Sequence, residues 1–275
     1  MFTVIFKSTI KRECSCSLLT ANGKPERNLR HMRNLRLDIC YDGTKYKGFQ
    51  RLPGNDLTIQ GKLEQTLSRL LDENVEVSGS GRTDAGTHAM GQVVNFHCNS
   101  VMPCEEIFDG LRKYLPEDIG VISVKNVSPR FHARLNAKTK TYCYRLWNSE
   151  KPCVFDRKYV YIDRTCFDLA AMQKAAALYC GTHDYSAFCA NKHMKKSTVR
   201  SIKSFRVIQL ENEIHFIVIG NGFLQHMVRI MVGTLLEVGK GLRQADSIPL
   251  LYGAERSEAG PEVPACGLCL MEVTY

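Results

Sequence analysis

Short strand-like runs alternate with amphipathic helical stretches from residue 35 onward, and this pattern constrains the fold most. Leu35–Tyr41 alternates apolar and polar residues as a half-buried strand does. Residues 58–71 place apolar side chains at helical spacing behind Thr58, a residue type that caps helices. Strands are further predicted at 75–80, 91–97, 121–127, 139–147, 159–162, 202–210, 214–220 and 267–273, and helices at 104–114, 168–180 and 223–238. Strand hairpins with intermittent helices predict an α+β fold, with helices on one side of a largely antiparallel sheet.

The chain is long enough for one large domain or two smaller ones. We expect an N-terminal half at residues 34–135 and a C-terminal half at residues 136–275, although no residue-level repeat relates them. Residues 1–33 differ from both and form an N-terminal extension, because they show no sustained period and hold few acids. A transit peptide, a disordered basic arm and an upstream start codon before Met32 all fit this composition. The start at Met32 is favoured, because a strand follows it directly.

The bulk composition is that of an ordinary globular protein, with 44% hydrophobic and 24% charged residues. The longest nearly apolar run, residues 223–238, contains polar side chains and is shorter than the ~20 residues of a membrane span. We therefore expect no membrane partner. The 12 cysteines are scattered, which favours a reducing, cytoplasmic location over a disulfide framework. Cys266 and Cys269 form a solitary C-x-x-C, which is more typical of packed thiols than of a metal site.

The net charge of +9 is compatible with nucleic-acid binding, but much of it lies in the N-terminal extension. Two local basic clusters remain in the rest of the chain. They comprise Lys192, Lys195, Lys196, Arg200, Lys203 and Arg206 in one, and Arg130, Arg134, Lys138 and Lys140 in the other. Such clusters can follow phosphates, although a solvated protein face has the same composition. Charge alone therefore supports RNA binding only weakly.

The sequence GRTDAGTH at residues 81–88 places one carboxylate, Asp84, in a tight turn between glycines. Arg82 lies two residues before this acid, and we expect its charge to hold Asp84 ionised. A lone ionised aspartate suits nucleophilic or general-base chemistry. The alternative is a surface turn with a local ion pair.

Two further positions stand out as partners for such an acid. Arg229 lies among apolar residues in HMVRIMVG, residues 226–233, so its guanidinium needs an anionic partner or a path to solvent. Pairing with Asp84 would satisfy both groups. Tyr142 lies in KTYCYR, residues 140–145, where an aromatic face among cations suits an RNA base turned out of its helix. A core tyrosine on a strand is the competing interpretation.

Four ordered motifs together resemble the TruA family of tRNA pseudouridine synthases. They are YDGTKYKGFQ at residues 41–50, GRTDAGTHA at 81–89, FHAR at 131–134 with KTY at 140–142, and GFLQHMVRIMVG at 222–233. The resemblance covers residues 35–275 and implies the pseudouridine synthase fold, with two similar halves around a central cleft. It also implies an isomerase that converts uridine to pseudouridine at positions 38 to 40 of the tRNA anticodon stem-loop.

The resemblance assigns roles to individual residues. Asp84 matches the family's essential aspartate, which attacks or stabilises the ribose C1′ atom, and Arg229 matches the arginine paired with it. Tyr142 matches the tyrosine that stacks on the target uracil and that is a candidate to take the C5 proton. Arg82 matches an arginine that helps to hold the flipped nucleotide, and Leu268 matches an apolar residue of the pocket. Cys269 replaces the family's usual aromatic residue.

The same resemblance implies tRNA and a second copy of the chain as partners, and an isomerisation that needs no cofactor or metal. Two other functions stay open. A non-catalytic RNA-binding protein on this fold would be expected to lack Asp84 or Tyr142, and both are present. A carboxylate nucleosidase acting at C1′ usually needs two acids, and no motif supplies a second one beside Asp84.

Overall fold

A computed structural model describes residues 32–54, 57–191 and 194–275 of the chain. The predicted N-terminal extension therefore lies outside the described residues, apart from its last two positions, and so does Lys192 of the first basic cluster. Residues 32–275 form one compact unit. The proposed division into halves at residue 135 stays a prediction.

Ten strands and four α-helices make up the described fold. The strands are β1 (Arg33–Tyr41), β2 (Val77–Gly79), β3 (His88–Cys98), β4 (Ile119–Val127), β5 (Thr139–Trp147), β6 (Tyr161–Ile162), β7 (Gly181–Asp184), β8 (Val199–Gln209), β9 (Glu213–Gly220) and β10 (Leu268–Thr274). The α-helices are α1 (Ile59–Leu71), α2 (Cys104–Tyr114), α3 (Leu169–Leu178) and α4 (Met227–Gly239). Short 3₁₀ turns connect several of these elements.

All ten strands belong to one sheet, whose main order is β4-β1-β3-β10-β5-β9-β8-β7. Strand β2 pairs with β3, and β6 pairs with β5. Only the pairs β10–β3 and β5–β6 are parallel among the described strands. The prediction of an α+β fold with a largely antiparallel sheet is confirmed. The last strand, β10, joins the strands of the N-terminal part to those of the C-terminal part.

Helix α1 forms as its sequence predicts. The Thr58 side chain accepts a hydrogen bond from the Gly61 amide, which satisfies one of the free donors at the helix start. Leu63 and Leu67 are fully buried on one helical face, in the same core as Leu37 of β1. The 3.6-residue period of the helix and the two-residue period of the strand thus bury their apolar sides together.

Several elements differ from the sequence prediction; β3 and β8, for example, each begin three residues earlier than predicted. Helix α4 begins at Met227 instead of residue 223, because His226 has a left-handed backbone with φ 60° that an α-helix cannot continue through. Strand β7 was not predicted, since Gly181–Asp184 has no apolar alternation and exists by pairing with β8. Among the described residues, no helix combines the length and the apolar character needed to cross a membrane.

Helix α4 lies unusually close to the segment that leads into β10. A Cβ atom on Gly233 would stand 1.8 Å from the Pro261 carbonyl oxygen, and one on Gly260 would stand 2.7 Å from the Thr234 Cα. Both glycines are therefore required by close backbone approach. This packing brings Glu262, the residue after Pro261, against the N-terminal turn of α4.

Candidate active site

The loop between β2 and β3 carries Asp84 and is held on both sides of that residue. Thr83 is buried, its hydroxyl lies 2.8 Å from the Tyr41 hydroxyl, and its carbonyl accepts from the Phe49 amide. Gly48 has φ 97°, and a Cβ there would lie 2.8 Å from the same carbonyl. The motif at residues 41–50 therefore acts as a support for the aspartate loop.

The first turn of α4 delivers Arg229 to this loop. Arg229 Nη1 lies 3.6 Å from Asp84 Oδ2, so the predicted contact between the two residues is present. The same nitrogen lies 2.7 Å from Glu262 Oε1, and Arg229 Nε donates to the Val263 carbonyl at 2.7 Å. The side chain is 13% exposed. The guanidinium is thus held mainly by the segment before β10 and approaches Asp84 from there.

His226 bridges the two carboxylates of the site. Its Nδ1 lies 2.7 Å from Glu262 Oε2, and its Nε2 lies 3.5 Å from Asp84 Oδ1. Since an ionised carboxylate only accepts hydrogen bonds, the Nδ1 of His226 donates to Glu262. Asp84 therefore faces two basic side chains, and both of them have a shorter contact with Glu262.

Burial raises the pKa of Asp84 above the usual range of an aspartate, and the negative charge of Glu262 raises it further. His226 and Arg229 oppose this shift. The prediction that Arg82 holds Asp84 ionised is wrong, because Arg82 is exposed and forms no ion pair or side-chain hydrogen bond within the described residues. The basic side chains that approach Asp84 come instead from the N-cap and the first turn of α4.

Tyr142 lies on β5 with 6% of its surface exposed and packs edge-on against Phe223, with ring centroids 5.1 Å apart. Burial raises the pKa of the Tyr142 phenol, and the Asp84 carboxylate adds to the shift. The phenol is therefore neutral near physiological pH. Leu268 is buried at the start of β10, where it pairs with Tyr144, while Leu270 pairs with Tyr142.

A positive cluster lies beside the aspartate loop. Lys140 Nζ donates to the Ser80 carbonyl at 2.6 Å. Desolvation, followed by the charges of Arg134 and Arg200, lowers the pKa of Lys140 to about 8. Arg134 and Lys140 belong to one predicted basic cluster and Arg200 to the other, so folding joins two clusters that are separate in sequence.

Sequence reasoning missed Glu262 and His226. His226 lies inside one of the family motifs, and its position near Arg229 is the only indication in the sequence that it belongs to the site. Glu262 stands among prolines and small residues and carries no signal of its own. Within the described chain, no cluster of three or more His, Cys, Asp or Glu side chains is arranged as a metal site.

The fold and the site define the class of protein. A sequence model described as tRNA pseudouridine synthase matches residues 39–136 and 175–275, which include Asp84 and Arg229. The chain belongs to the tRNA pseudouridine synthase family. Tyr142 lies between the two matched segments.

Curated relatives cover most of the chain and their own full length. The chain is 45% identical over 245 residues to "tRNA pseudouridine synthase A 1" of Clostridium tetani, which covers 89% of this chain and 100% of that protein. It is 43% identical to "tRNA pseudouridine synthase A" of Bacillus sp. (strain KSM-64) and 42% identical to "tRNA pseudouridine synthase A 2" of Bacillus cereus, with the same coverage. The match leaves 11% of this chain unmatched.

Proposed function

We propose that this chain isomerises uridine to pseudouridine in tRNA, at positions 38 to 40 of the anticodon stem-loop. The observation that carries the proposal is the convergence of the family motifs on Asp84: the 41–50 motif supports its loop, and α4 supplies Arg229. The names of the relatives agree with the reaction. Uridine and pseudouridine are isomers, so the proposed reaction consumes no redox equivalent.

In the proposed reaction, the N1–C1′ bond breaks, a C5–C1′ bond forms, the proton on C5 leaves, and N1 gains a proton. Asp84 attacks or stabilises C1′ while the glycosidic bond breaks. Its carboxylate suits this role, because it is desolvated and its contacts with Arg229 and His226 are long. Arg229 holds the carboxylate in place.

Tyr142 stacks on the target uracil and handles the C5 proton. Burial raises the pKa of the phenol, so the phenol is neutral at the start of the reaction. Its hydroxyl can therefore take the C5 proton only while it passes its own proton to another group. Phe223 fixes the ring by an edge contact. Tyr142 is 6% exposed, so stacking on a base requires the side chains around the ring to move aside.

The remaining roles concern the displaced nucleotide and the tRNA backbone. Turning a base out of its stack costs a few kcal/mol. Arg82 is exposed beside Asp84 and is free to contact the displaced nucleotide, and Leu268 supplies an apolar wall. The cluster of Arg134, Lys140 and Arg200 is positioned to bind phosphates.

We further propose that the chain acts as a homodimer in a reducing cytoplasm. The exposed Met90 and Met271 support a contact between copies, because they lie on the neighbouring strands β3 and β10. The described cysteines are free thiols, in agreement with a reducing compartment. Analytical ultracentrifugation checks the assembly: a dimer that dissociates in the double variant Met90→Lys/Met271→Lys is expected, and a wild-type monomer would refute it.

Tritium release tests the reaction. A tRNA labelled with tritium at uridine C5 loses the label to water only when C5 gives up its proton. Wild type is expected to release tritium and to form pseudouridine, detected by mass spectrometry of tRNA digests, while Asp84→Asn releases none. Asp109→Asn, an exposed acid on α2, is the matched control and should match wild type.

The same assay separates the alternatives. Free uracil in place of pseudouridine would identify a nucleosidase, for which Glu262 would be the second acid. Glu262 is held by Arg229 and His226, so it is not placed as a protonated acid for a leaving group. Tight tRNA binding with no product would identify a binding module.

A further inference from the structure

The backbone at His226 is in an unfavourable conformation. Its φ of 60° and ψ of 6° lie in the left-handed region, which only one other non-glycine residue of the described chain, Asp72, adopts. Such a conformation is unfavourable and persists only where the surroundings impose it. His226 occupies the N-cap of α4, but its side chain makes no capping hydrogen bond. The strain therefore serves the placement of the imidazole, not the helix.

The imidazole is placed between two carboxylates at unequal distances. His226 lies 2.7 Å from Glu262 and 3.5 Å from Asp84. Arg229 shows the same difference, because its Nη1 lies 2.7 Å from Glu262 Oε1 and 3.6 Å from Asp84 Oδ2. Both basic side chains thus make their close contact with Glu262 and only a loose one with Asp84.

The consequence concerns the reactivity of Asp84. A carboxylate that accepts short, charge-assisted hydrogen bonds is stabilised as the anion and is a weaker nucleophile and base. A carboxylate whose basic neighbours make their short hydrogen bonds with another acid keeps its oxygen lone pairs available. The same neighbours still orient it through their longer contacts. Glu262 is 28% exposed and contacts both basic side chains from the segment that Gly233 and Gly260 allow against α4.

We propose that Glu262 is a positioning residue: it binds His226 and Arg229 closely, so that the oxygens of the Asp84 carboxylate remain free of short hydrogen bonds and can react with the substrate. This inference rests on the proposed function for its catalytic meaning, but the charge arrangement itself is independent of that function. The titratable groups that face Asp84 are His226 at the N-cap of α4, Arg229 on α4, Glu262 before β10, and Tyr142 on β5. Tyr142 is neutral, so the other three groups set the electrostatic balance.

Two substitutions are expected to move the ionisation of Asp84 in opposite directions. Glu262→Gln removes an acid and releases the side chains of His226 and Arg229 toward Asp84, so the titration midpoint of Asp84 should fall by about one pH unit. His226→Asn removes a basic side chain beside Asp84 and keeps a residue type that tolerates the left-handed backbone, so the midpoint should rise. Glu258→Gln, an exposed acid earlier in the same segment, is the matched control and should leave the midpoint unchanged.

The measurement is a carbon-13 NMR titration of the Asp side-chain carboxyls in the full chain, with the Asp84 signal assigned by its loss in Asp84→Asn. It needs no activity, so it separates this inference from the proposed reaction. An unchanged or raised midpoint in Glu262→Gln would overturn the inference, and so would a lowered midpoint in His226→Asn. If Glu262→Gln does not fold, the His226→Asn midpoint decides.

The pH dependence of turnover gives the second readout. In saturating tRNA, the acid limb of the rate profile should shift to lower pH in Glu262→Gln, with a maximal rate reduced about tenfold. In His226→Asn the acid limb should shift to higher pH. A wild-type chain without pseudouridine formation would refute the proposed function and leave the NMR result standing, whereas an active wild type with superimposable profiles would refute the role of Glu262.

Discussion

Arg229 lies closer to Glu262, at 2.7 Å, than the 3.6 Å that separates it from Asp84. The arginine that family resemblance pairs with the aspartate is therefore anchored by a different acid. Its Nε also donates to the Val263 carbonyl, so one guanidinium joins α4 to the segment before β10. Arg229 therefore stabilises the packing of α4 against this segment and also forms part of the site.

Arg229→Lys is expected to destabilise the fold. A lysine presents a point charge and cannot contact Glu262 while it also donates from an Nε position to Val263. One buried partner is left unsatisfied, which costs about 1–3 kcal/mol. Urea denaturation measures the free energy of unfolding. Arg206→Lys, an exposed arginine on β8, is the control, and an equal loss there would contradict the prediction.

Asp84→Asn should abolish tritium release and yet stabilise the fold. Because burial raises the pKa of Asp84, the native state binds the proton more tightly than the unfolded chain. The ionised form of Asp84 therefore lowers the free energy of unfolding. This loss grows as pH rises from about 3.9, the pKa in the unfolded chain, through the raised pKa of the native state. The variant lacks this cost, so its stability advantage should grow over that window in urea titrations. An advantage that shrinks with rising pH would contradict the sign.

Tyr142→Phe should separate the ring from its hydroxyl. The ring and its edge contact with Phe223 remain, so we expect tRNA affinity within about threefold of wild type, because stacking needs only the aromatic face. Turnover should fall by about 100-fold or more, because the group that handles the proton is gone. Single-turnover kinetics and filter binding measure the two quantities.

Tyr144→Phe, two residues along β5, is the matched control for that prediction. The Tyr144 hydroxyl donates to the Pro264 carbonyl at 2.8 Å, so its removal should cost about 1 kcal/mol of stability and leave turnover intact. Equal turnover in Tyr142→Phe and wild type would show that the Tyr142 hydroxyl takes no part in the reaction.

Gly233→Ala should disrupt the contact that brings Glu262 to Arg229. The added methyl would lie 1.8 Å from the Pro261 carbonyl, and backbone has to move to relieve the clash. We expect a loss of about 2–3 kcal/mol, together with reduced turnover. Thermal and urea unfolding measure the loss.

Gly110→Ala on α2 is the control for this substitution. A Cβ there would lie 2.7 Å from both terminal methyl carbons of Leu70 and 3.3 Å from its Cγ, which are side-chain and not backbone atoms, and alanine gains helix propensity. A small change there and a large one at Gly233 are expected. A loss at Gly233 as small as that at Gly110 would mean that helix α4 tolerates a shift from the Pro261 segment.

tRNA affinity should weaken between pH 7 and pH 9. Burial and two neighbouring arginines lower the pKa of Lys140 to about 8, so this cation is mostly charged at pH 7 and mostly neutral at pH 9. If it contacts a phosphate, the affinity loss reaches about tenfold at most. Lys140→Met should bind more weakly at pH 7 and lose this pH dependence.

Lys138→Met removes an exposed lysine from the same basic cluster and serves as the comparison for Lys140. It should weaken binding through its charge and retain the decline between pH 7 and pH 9. Binding is measured at constant ionic strength, because phosphate contacts depend on salt. A Lys140→Met variant with the wild-type pH dependence would exclude Lys140 as its source.

Much of the fold and part of the site could be predicted from the sequence. The strand period of Leu35–Tyr41 and the helical face behind Thr58 report local burial, and local burial is what periodicity encodes. Strand β7 and the late start of α4 escaped prediction. The first exists through pairing with β8, and the second through the backbone of His226, and neither cause is visible in a local pattern.

The sequence by itself determined the class of fold, the family motifs and the acid, Asp84, on which they centre. Only the tertiary structure decided the electrostatics of that acid. Arg82, its neighbour in the chain, points to solvent, while His226, Arg229 and Glu262 arrive from segments about 140 to 180 residues away. The physical reason is that Coulomb interactions depend on distance in space. That distance was set by a close approach of α4 to the Pro261 segment, which two glycines permit.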